Sequence, residues 1–107
     1  MRVLLFSAAA FVLTLNAASA GETGAGAAAK MFSDVCAKCH GPTGRGMASF
    51  PRLSDKKKDY LAGRLRQYRA GEKVGPNTPL MKPHAVKLTD AEIDGLAAYI
   101  STAFSKK

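Results

Sequence analysis

The feature that most constrains this chain is the run Cys36-Ala37-Lys38-Cys39-His40. Two thiols three positions apart lie on the same side of a helix, and a histidine follows at once. This C-x-x-C-H pattern is typical of covalent c-type haem attachment. Each thiol adds across one haem vinyl group to form a thioether, and His40 then lies under the iron as its proximal ligand. The motif therefore predicts one haem c bound to Cys36 and Cys39, with its iron bound by His40.

Three other uses of the cysteines fit the sequence less well. A thioredoxin-like redox pair normally opens a helix within a βαβ pattern, whereas this motif closes a helical segment that no strand pattern flanks. A zinc site needs four ligands, and the second histidine, His84, lies far along the chain. An exported protein could also join Cys36 to Cys39 as a disulfide. The adjacent His40 favours haem over each of these.

Residues 1–20 predict a secretory signal peptide. A short positive start precedes the largely apolar run 3–15, and Ala18-Ser19-Ala20 supplies the small-residue cleavage pattern. We therefore expect cleavage after Ala20 and a single domain over 21–107, in the bacterial periplasm, with no stable membrane insertion. Covalent haem attachment takes place outside the cytoplasm, which agrees with export. The alternative is an uncleaved anchor, because the uncharged run 3–21 is just long enough to span a bilayer.

The size and charge of the remaining 87 residues suggest a cofactor and an acidic partner. A domain this small buries roughly 60% of its unfolded surface, so it usually needs a disulfide, a metal or a large cofactor. Of the 16 Lys and Arg only Arg2 leaves with the leader, so 15 face eight Asp and Glu, a formal charge of +7. Export disfavours a nucleic-acid partner. The charge predicts a redox protein partner with an acidic docking surface.

Three helical segments are predicted. The first spans 23–38, and the second spans 56–70 with Ser54 as its candidate N-cap and Gly71 at its C-terminal end. The third begins at Thr89, which forms a T-x-x-E capping box with Glu92. The expected buried stripes are Ala28, Met31, Phe32 and Val35; Leu61, Leu65 and Tyr68; and Ile93, Leu96, Ala97, Ile100 and Phe104.

Two segments rich in Gly and Pro, 41–51 and 75–83, separate the predicted helices. Neither predicts a strand. Loops this long in a small domain need a functional reason, and wrapping a cofactor supplies one. The fold class is therefore predicted to be all-α, with three main helices and long loops wrapped around one covalent haem.

Met81 is the predicted distal ligand of the iron. Met1 leaves with the leader, Met31 lies on the apolar face of the first helix, and Met47 is too close to His40 to reach the opposite haem face. Met81 lies in the second loop, where prolines lower the entropic cost of holding a weak thioether ligand. Ligation by Met and His is also a standard haem arrangement.

Simpler interpretations of this region stay open. Met81 could merely fill a gap under a loop. His84 is the alternative ligand, although a surface histidine is the simpler interpretation. If Met81 did not bind iron, a small haem enzyme or gas sensor with an open distal site would become possible.

These features resemble those of small bacterial class I cytochromes c of the single-haem periplasmic type, and of one half of their diheme relatives. The resemblance covers nearly all of residues 21–107. The attachment motif is highly specific, and the other matching segments support it. The matches are Phe32 with Cys36–Gly41, Phe50–Leu53, Tyr60-Leu61 with the basic helix up to Gly71, Met81 followed by Leu88–Asp90, and Leu96–Ile100.

The resemblance implies roles for four positions outside the motif. Pro51 offers its carbonyl to the ring N–H of His40, and Met81 is the distal ligand. The first and last helices cross at Ala28 and Tyr99, although family members usually have glycine at the first of these positions. The implied activity is one-electron transfer with both axial ligands kept, and no enzymatic reaction.

Two further expectations concern the surface. Tyr60 and Arg64 are candidates to bind a haem propionate. A set of bases could surround the exposed haem edge, namely Lys38, Lys56, Lys57, Lys58, Arg64, Arg66, Arg69, Lys82 and Lys87.

Two functions fit these expectations. The protein is either a free electron shuttle or a haem subunit on a flavin or molybdenum dehydrogenase that oxidises a sulfur compound.

Overall fold

The structure, a computed structural model, describes residues 24–105. The predicted signal peptide over residues 1–20 lies outside the described residues, and so does the choice between cleavage and an uncleaved anchor. Within the described part of the chain, the helices are all too short or too polar to cross a membrane.

The described residues form α-helices joined by loops. One π-helical turn, Phe32–Cys36, interrupts the series, and an isolated antiparallel bridge joins Met47 to Phe50. No strand occurs between residues 24 and 105. The all-α prediction is confirmed. The helices are α1 (Ala25–Met31), α2 (Ala37–His40), α3 (Lys58–Ala70), α4 (Thr78–Ala85) and α5 (Asp90–Ala103).

The core forms where α1 and α3 pack against α5. Phe32, Tyr99 and Phe104 contribute an aromatic cluster whose ring centroids lie 4.9 to 6.0 Å apart, a range in which tilted rings attract one another. Ala28 is buried in the same core, against which Tyr99 also packs. The side chains buried in this core are Ala28, Phe32, Leu61, Ala62, Ile93, Leu96, Ala97 and Ile100.

The first predicted helix contains the π-helical turn just before the haem motif. Main-chain hydrogen bonds in such a turn span five residues instead of four, so the side chains that follow are rotated relative to an α-helix. The prediction that Val35 continues the buried stripe is therefore wrong, because Val35 is 38% exposed. Cys36 packs against the core instead, and the helical backbone continues to His40.

α3 begins two residues later than predicted, and Ser54 is not its N-cap. Lys57 occupies that position, while Ser54 Oγ accepts a 2.6 Å hydrogen bond from Arg52 Nε. Asp55 has a φ of 62°, in the left-handed region, so the helix cannot extend back to Ser54. The predicted end of the helix is confirmed, because Gly71 has a φ of 80° at the C-terminal position where glycine is favoured.

The second predicted loop is largely helical, which corrects the sequence analysis. α4 places Met81 and His84 on a helix rather than in a loop. Pro79 lies in its first turn, where a main-chain N–H would have no intrahelical acceptor, so no hydrogen bond is lost there. Pro83 lies inside the helix and removes one main-chain hydrogen bond.

Tertiary contacts explain why α4 forms despite its two prolines. Thr78 fixes the turn before it, because Thr78 Oγ1 accepts hydrogen bonds from the amides of Val74 and Gly75 at 2.9 Å and donates to the Gly75 carbonyl at 2.7 Å. The helix also packs against α3. Short helices depend on such packing more than on intrinsic propensity, which is why the sequence pattern did not show this one.

The start of α5 matches its prediction. The Glu92 amide donates to Thr89 Oγ1 at 3.1 Å, and the Thr89 amide donates to Glu92 Oε1 at 3.0 Å. These two bonds form a capping box. Leu88 and Ile93, predicted to pack across this turn, both contribute to the core.

We expect Thr89→Ala to lower the free energy of unfolding of the haem-loaded protein by about 1 kcal/mol, because the N-cap bond to Glu92 is lost. In a domain of this size that corresponds to a fall in Tm of about 4–8 °C, measured by circular dichroism. Thr102→Ala is the control. Thr102 is exposed on the same helix, and alanine has the higher helix propensity. An equal fall in both variants would contradict a specific cap.

Candidate functional site

The two motif cysteines lie where the π-helical turn meets α2. Cys36 ends the turn, and Cys39 lies one helical turn further on. Both thiols are free of disulfide bonds and half-buried. Three positions of separation along a helical backbone place them on one side. The disulfide alternative is therefore not adopted in this structure.

The environment of Cys36 argues against a redox pair. Burial raises the pKa of its thiol to about 11, since removal from water disfavours the thiolate. A thioredoxin-like pair needs the opposite shift, which keeps the attacking sulfur ionised near neutral pH. Zinc is unsupported as well, because no three Cys, His, Asp or Glu side chains within residues 24–105 lie close enough to hold a metal ion.

His40 is buried, and the main chain fixes the direction of its ring. Its Nδ1 lies 2.8 Å from the carbonyl oxygen of Pro51. A carbonyl can only accept, so in the neutral ring Nδ1 carries the proton and Nε2 keeps the lone pair. The hydrogen bond that the resemblance implied is present in the structure. In metal sites such a bond orients the ring and raises its basicity.

Gly46 allows the chain to return beneath His40. Its φ is 84°, and its amide donates to the His40 carbonyl at 2.8 Å. A Cβ at this position would lie 2.6 Å from the Phe50 carbonyl oxygen, closer than real Cβ contacts allow. From the sequence alone, Gly46 is only a loop breaker. The folded loop shows that its missing Cβ leaves room for the main chain of Phe50 and Pro51.

Met47 lies in the same loop as Pro51. Its Cγ is 3.9 Å from the point where a Cβ on Gly41 would be, and Gly41 directly follows His40. It also pairs with Phe50 through the isolated bridge. This location supports the expectation that Met47 stays on the His40 side of the site.

Met81 is half-buried in the middle of α4. The residue before this helix, Asn77, donates from Nδ2 to the Ser49 carbonyl oxygen at 3.0 Å and to Ser49 Oγ at 3.2 Å. These bonds connect the helix that carries Met81 to the loop that carries Pro51. His84 is exposed on α4.

Tyr60 and Arg64 form a small cationic and aromatic cluster on α3. The Arg64 guanidinium and Lys56 Nζ each lie 5.3 Å from the centroid of the Tyr60 ring, within the range of cation–π attraction. Arg64 also donates to Gln67 Oε1 at 3.1 Å. The contact of Tyr60 and Arg64 with a haem propionate stays a prediction.

Five of the nine predicted surface bases fall into two groups. Arg66 and Arg69 on α3 pair with Asp94 and Asp90 on α5, at 2.8 Å and 2.6 Å. Lys56–Lys58 are exposed, and no carboxylate among residues 24–105 forms an ion pair with them. Their charge is therefore available to a partner.

Comparisons with known proteins agree with this geometry. The cytochrome c family model matches residues 25–104. Cytochrome c-554(548) of Halomonas halodenitrificans is 39% identical over 69 residues, which cover 64% of this chain and 83% of that protein. The thiosulfate dehydrogenase electron acceptor of Stutzerimonas stutzeri is 35% identical over 73 residues, which cover 67% of this chain but 34% of that protein.

A solved structure shows the same fold. Reduced cytochrome c4 from Pseudomonas stutzeri superposes with a TM-score of 0.66 and 30% sequence identity. The match covers 74% of this chain and 47% of that chain, so the present protein corresponds to about half of its length.

The chain belongs to the cytochrome c family, and it is a small class I c-type cytochrome. Its cofactor is haem c, covalently attached and used for electron transfer. The residues present fit this group. Two unbonded thiols lie three positions apart on helical backbone, and His40 beside them has its Nδ1 engaged and its Nε2 lone pair available.

Gly46→Ala should lower the free energy of unfolding of the haem-loaded protein by about 3 kcal/mol, because a left-handed φ and a steric clash both oppose the side chain. The denaturant midpoint, followed by haem absorbance and by circular dichroism, measures this. Gly63→Ala is the matched control. An added Cβ at Gly63 in α3 meets nothing within 4 Å, so this variant should gain about 0.5–1 kcal/mol. Equal midpoints would contradict the role of Gly46.

Proposed function

We propose that the protein is a periplasmic carrier of single electrons whose haem iron is bound by His40 and Met81. The observation that carries the proposal is the buried His40 ring, which one hydrogen bond to Pro51 holds next to two free thiols. A histidine fixed in this way suits permanent ligation better than proton transfer, because its Nδ1 proton is engaged with the main chain.

Met81 is the proposed distal ligand for two structural reasons. It lies on a helix that Asn77 links to the His40 side of the site, and it is half-buried. Met47 lies beside Gly41 and belongs to the loop of Pro51. The neutral thioether of methionine favours ferrous iron, which suits a carrier of high reduction potential.

The protein residues serve this function by remaining in place. The haem supplies a one-electron iron couple. His40 is oriented by Pro51, and Met81 is carried by α4, so neither side chain would have to move when the charge on a bound iron changes. If both residues held the iron, no position would remain for a substrate. Cys36, packed against the core, would tie the cofactor to the helices.

Met81→Ala should open the distal position. We expect the ferric protein to lose the absorption band at the red end of its spectrum that marks methionine bound to haem iron, to bind cyanide readily, and to have a lower reduction potential. Absorption spectroscopy and redox titration measure these changes. Met47→Ala is the control and should leave all three unchanged. The reverse pattern would assign the ligand to Met47, and no change in either variant would favour an open-site enzyme or sensor.

Export through the predicted signal peptide would place the protein in the periplasm. The run 1–20 has the positive start, apolar centre and small-residue cleavage site of such a leader. Location outside the cytoplasm also fits the chemistry of Cys36 and Cys39, since covalent haem attachment takes place there. The mass of the mature protein distinguishes cleavage after Ala20 from an uncleaved anchor.

The partner is proposed to be a redox protein with an acidic docking surface. Lys56–Lys58 form an exposed run of three positive charges at the start of α3, and Lys56 also lies over the Tyr60 ring. A cluster of like charges accelerates encounter with an oppositely charged surface more than it strengthens the final complex. Such steering suits a carrier that has to bind and leave quickly.

Reversal of Lys56, Lys57 and Lys58 to Glu should slow the bimolecular electron-transfer rate with the natural partner and flatten its dependence on salt. Screening limits the reach of these charges to about 8 Å at physiological ionic strength. Stopped-flow measurements across a salt series test this, and the haem spectrum should not change. Reversal of Lys30, Arg45 and Lys73, which are exposed and lie outside the predicted set of bases, changes the net charge by the same amount. This control should have a smaller effect if the Lys56–Lys58 cluster itself docks the partner.

A second candidate is a haem protein that accepts electrons from a dehydrogenase of sulfur compounds. The relative named as a thiosulfate dehydrogenase electron acceptor favours it. A permanently docked subunit would transfer electrons at a rate insensitive both to salt and to the triple reversal. That outcome would replace the free shuttle with this alternative.

A further inference from the structure

We propose that Asn77 is a positioning residue, which keeps the helix of Met81 closed against the loop that holds His40. Asn77 does this through its hydrogen bonds to Ser49, which we call the Asn77–Ser49 link. The inference rests on the proposed function, because it takes Met81 as the distal ligand.

The side chain of Asn77 does not cap α4, although Asn77 lies at the N-terminus of that helix. Asn77 is the N-cap residue of α4, and asparagine is preferred there because its side chain usually caps the helix. Here the side chain makes no cap hydrogen bond. Its Nδ2 donates to Ser49, 28 positions earlier in the chain. Because the Ser49 carbonyl can only accept, the amide NH₂ of Asn77 has to face it.

The main chain of Asn77 contacts Met81, the proposed distal ligand. Its carbonyl accepts a 3.2 Å hydrogen bond from the Met81 amide. On the other side, Ser49 lies two residues before Pro51, whose carbonyl holds the ring of His40. A short series of hydrogen bonds and main chain therefore connects the two proposed ligands without passing through the core.

This arrangement gives the Asn77–Ser49 link a defined effect on ligation. We expect Met81 to leave the iron when α4 moves away from the loop of Pro51, a movement that breaks the link. The link then stabilises only the closed state, in which α4 lies against the loop of Pro51. Its loss raises the population of the open state, in which α4 has moved away, relative to the closed state by the factor that corresponds to the free energy of the link.

The test measures cyanide binding to the ferric, haem-loaded protein by stopped flow, at concentrations where the rate stays proportional to cyanide. Asn77→Ala removes both bonds of the link. Asn77→Asp removes the bond to the Ser49 carbonyl at constant side-chain size, because a carboxylate cannot donate, but it can still accept from the Ser49 hydroxyl. Asn77→Ala should bind cyanide about fivefold faster, which corresponds to ~1 kcal/mol for the link as a whole, and Asn77→Asp should also bind it faster. Ser49→Ala keeps the bond to the carbonyl, so it should change the rate less than either Asn77 variant.

Asp94→Ala is the matched control. It breaks the Arg66–Asp94 pair, which is also exposed and also spans 28 positions, but joins α3 to α5. Its cyanide rate should equal that of the unmodified protein. Unchanged rates in both Asn77 variants would overturn the inference, and so would an equal acceleration by Asp94→Ala, because general loosening would then explain the effect.

Met81→Ala, measured alongside, separates this inference from the proposed function. If Met81→Ala loses the methionine band and binds cyanide quickly while the Asn77 variants do not, the ligand assignment stands and the positioning role is overturned. If Met81→Ala changes neither the band nor the rate, the ligand assignment and the positioning role are both overturned.

Discussion

The hydrogen bond from His40 Nδ1 to the Pro51 carbonyl is the constraint on which the structure around the motif depends. If Cys36 and Cys39 hold the haem at the end of the helix, a freely rotating His40 ring would lose side-chain entropy on binding the iron. The Pro51 carbonyl removes that freedom beforehand. For the Pro51 carbonyl to reach His40, the chain has to reverse its direction within eleven residues. This reversal requires Gly46, whose left-handed φ and lack of a Cβ leave room for the Phe50 carbonyl.

The two sides of the site differ in what stabilises them. The His40 side continues directly into the core, because the π-helical turn places Cys36 against it. The Met81 side depends on α4, a helix of eight residues with two prolines, which Thr78 and Asn77 hold from outside the core. Local stability is lowest where few buried contacts and many exposed hydrogen bonds support an element. If Met81 is the distal ligand, as proposed, this side is where loss of a single surface hydrogen bond is most able to affect ligation.

Local chemistry explains which features could be predicted from the sequence. The capping box at Thr89, the glycine at position 71 and the covalent haem c cofactor were each predicted from residues a few positions apart, and these predictions are confirmed. The errors arose where distant contacts decide the structure. Val35 lies within a π-helical turn that no residue pattern indicates. α4 forms through packing against α3 although its prolines predict a loop. From the sequence alone, Asn77 is an ordinary N-cap candidate. Its hydrogen bonds to Ser49 form only in the folded chain.

The distribution of charge links the fold to the proposed encounter with a partner. The sequence offered a broad set of bases, but Arg66 and Arg69 face carboxylates on α5. Exposed pairs of this kind add little to stability, yet they neutralise the part of α3 nearest its C-terminal end. The bases of this segment that pair with no carboxylate among residues 24–105 are then Lys56–Lys58 and Arg64, in the first half of α3 and just before it. Because screening confines the field of these charges to about one Debye length, a compact cluster orients an acidic partner better than the same charge spread along the helix. The ion pairs therefore confine the proposed docking surface to one end of α3, and they also join two helices.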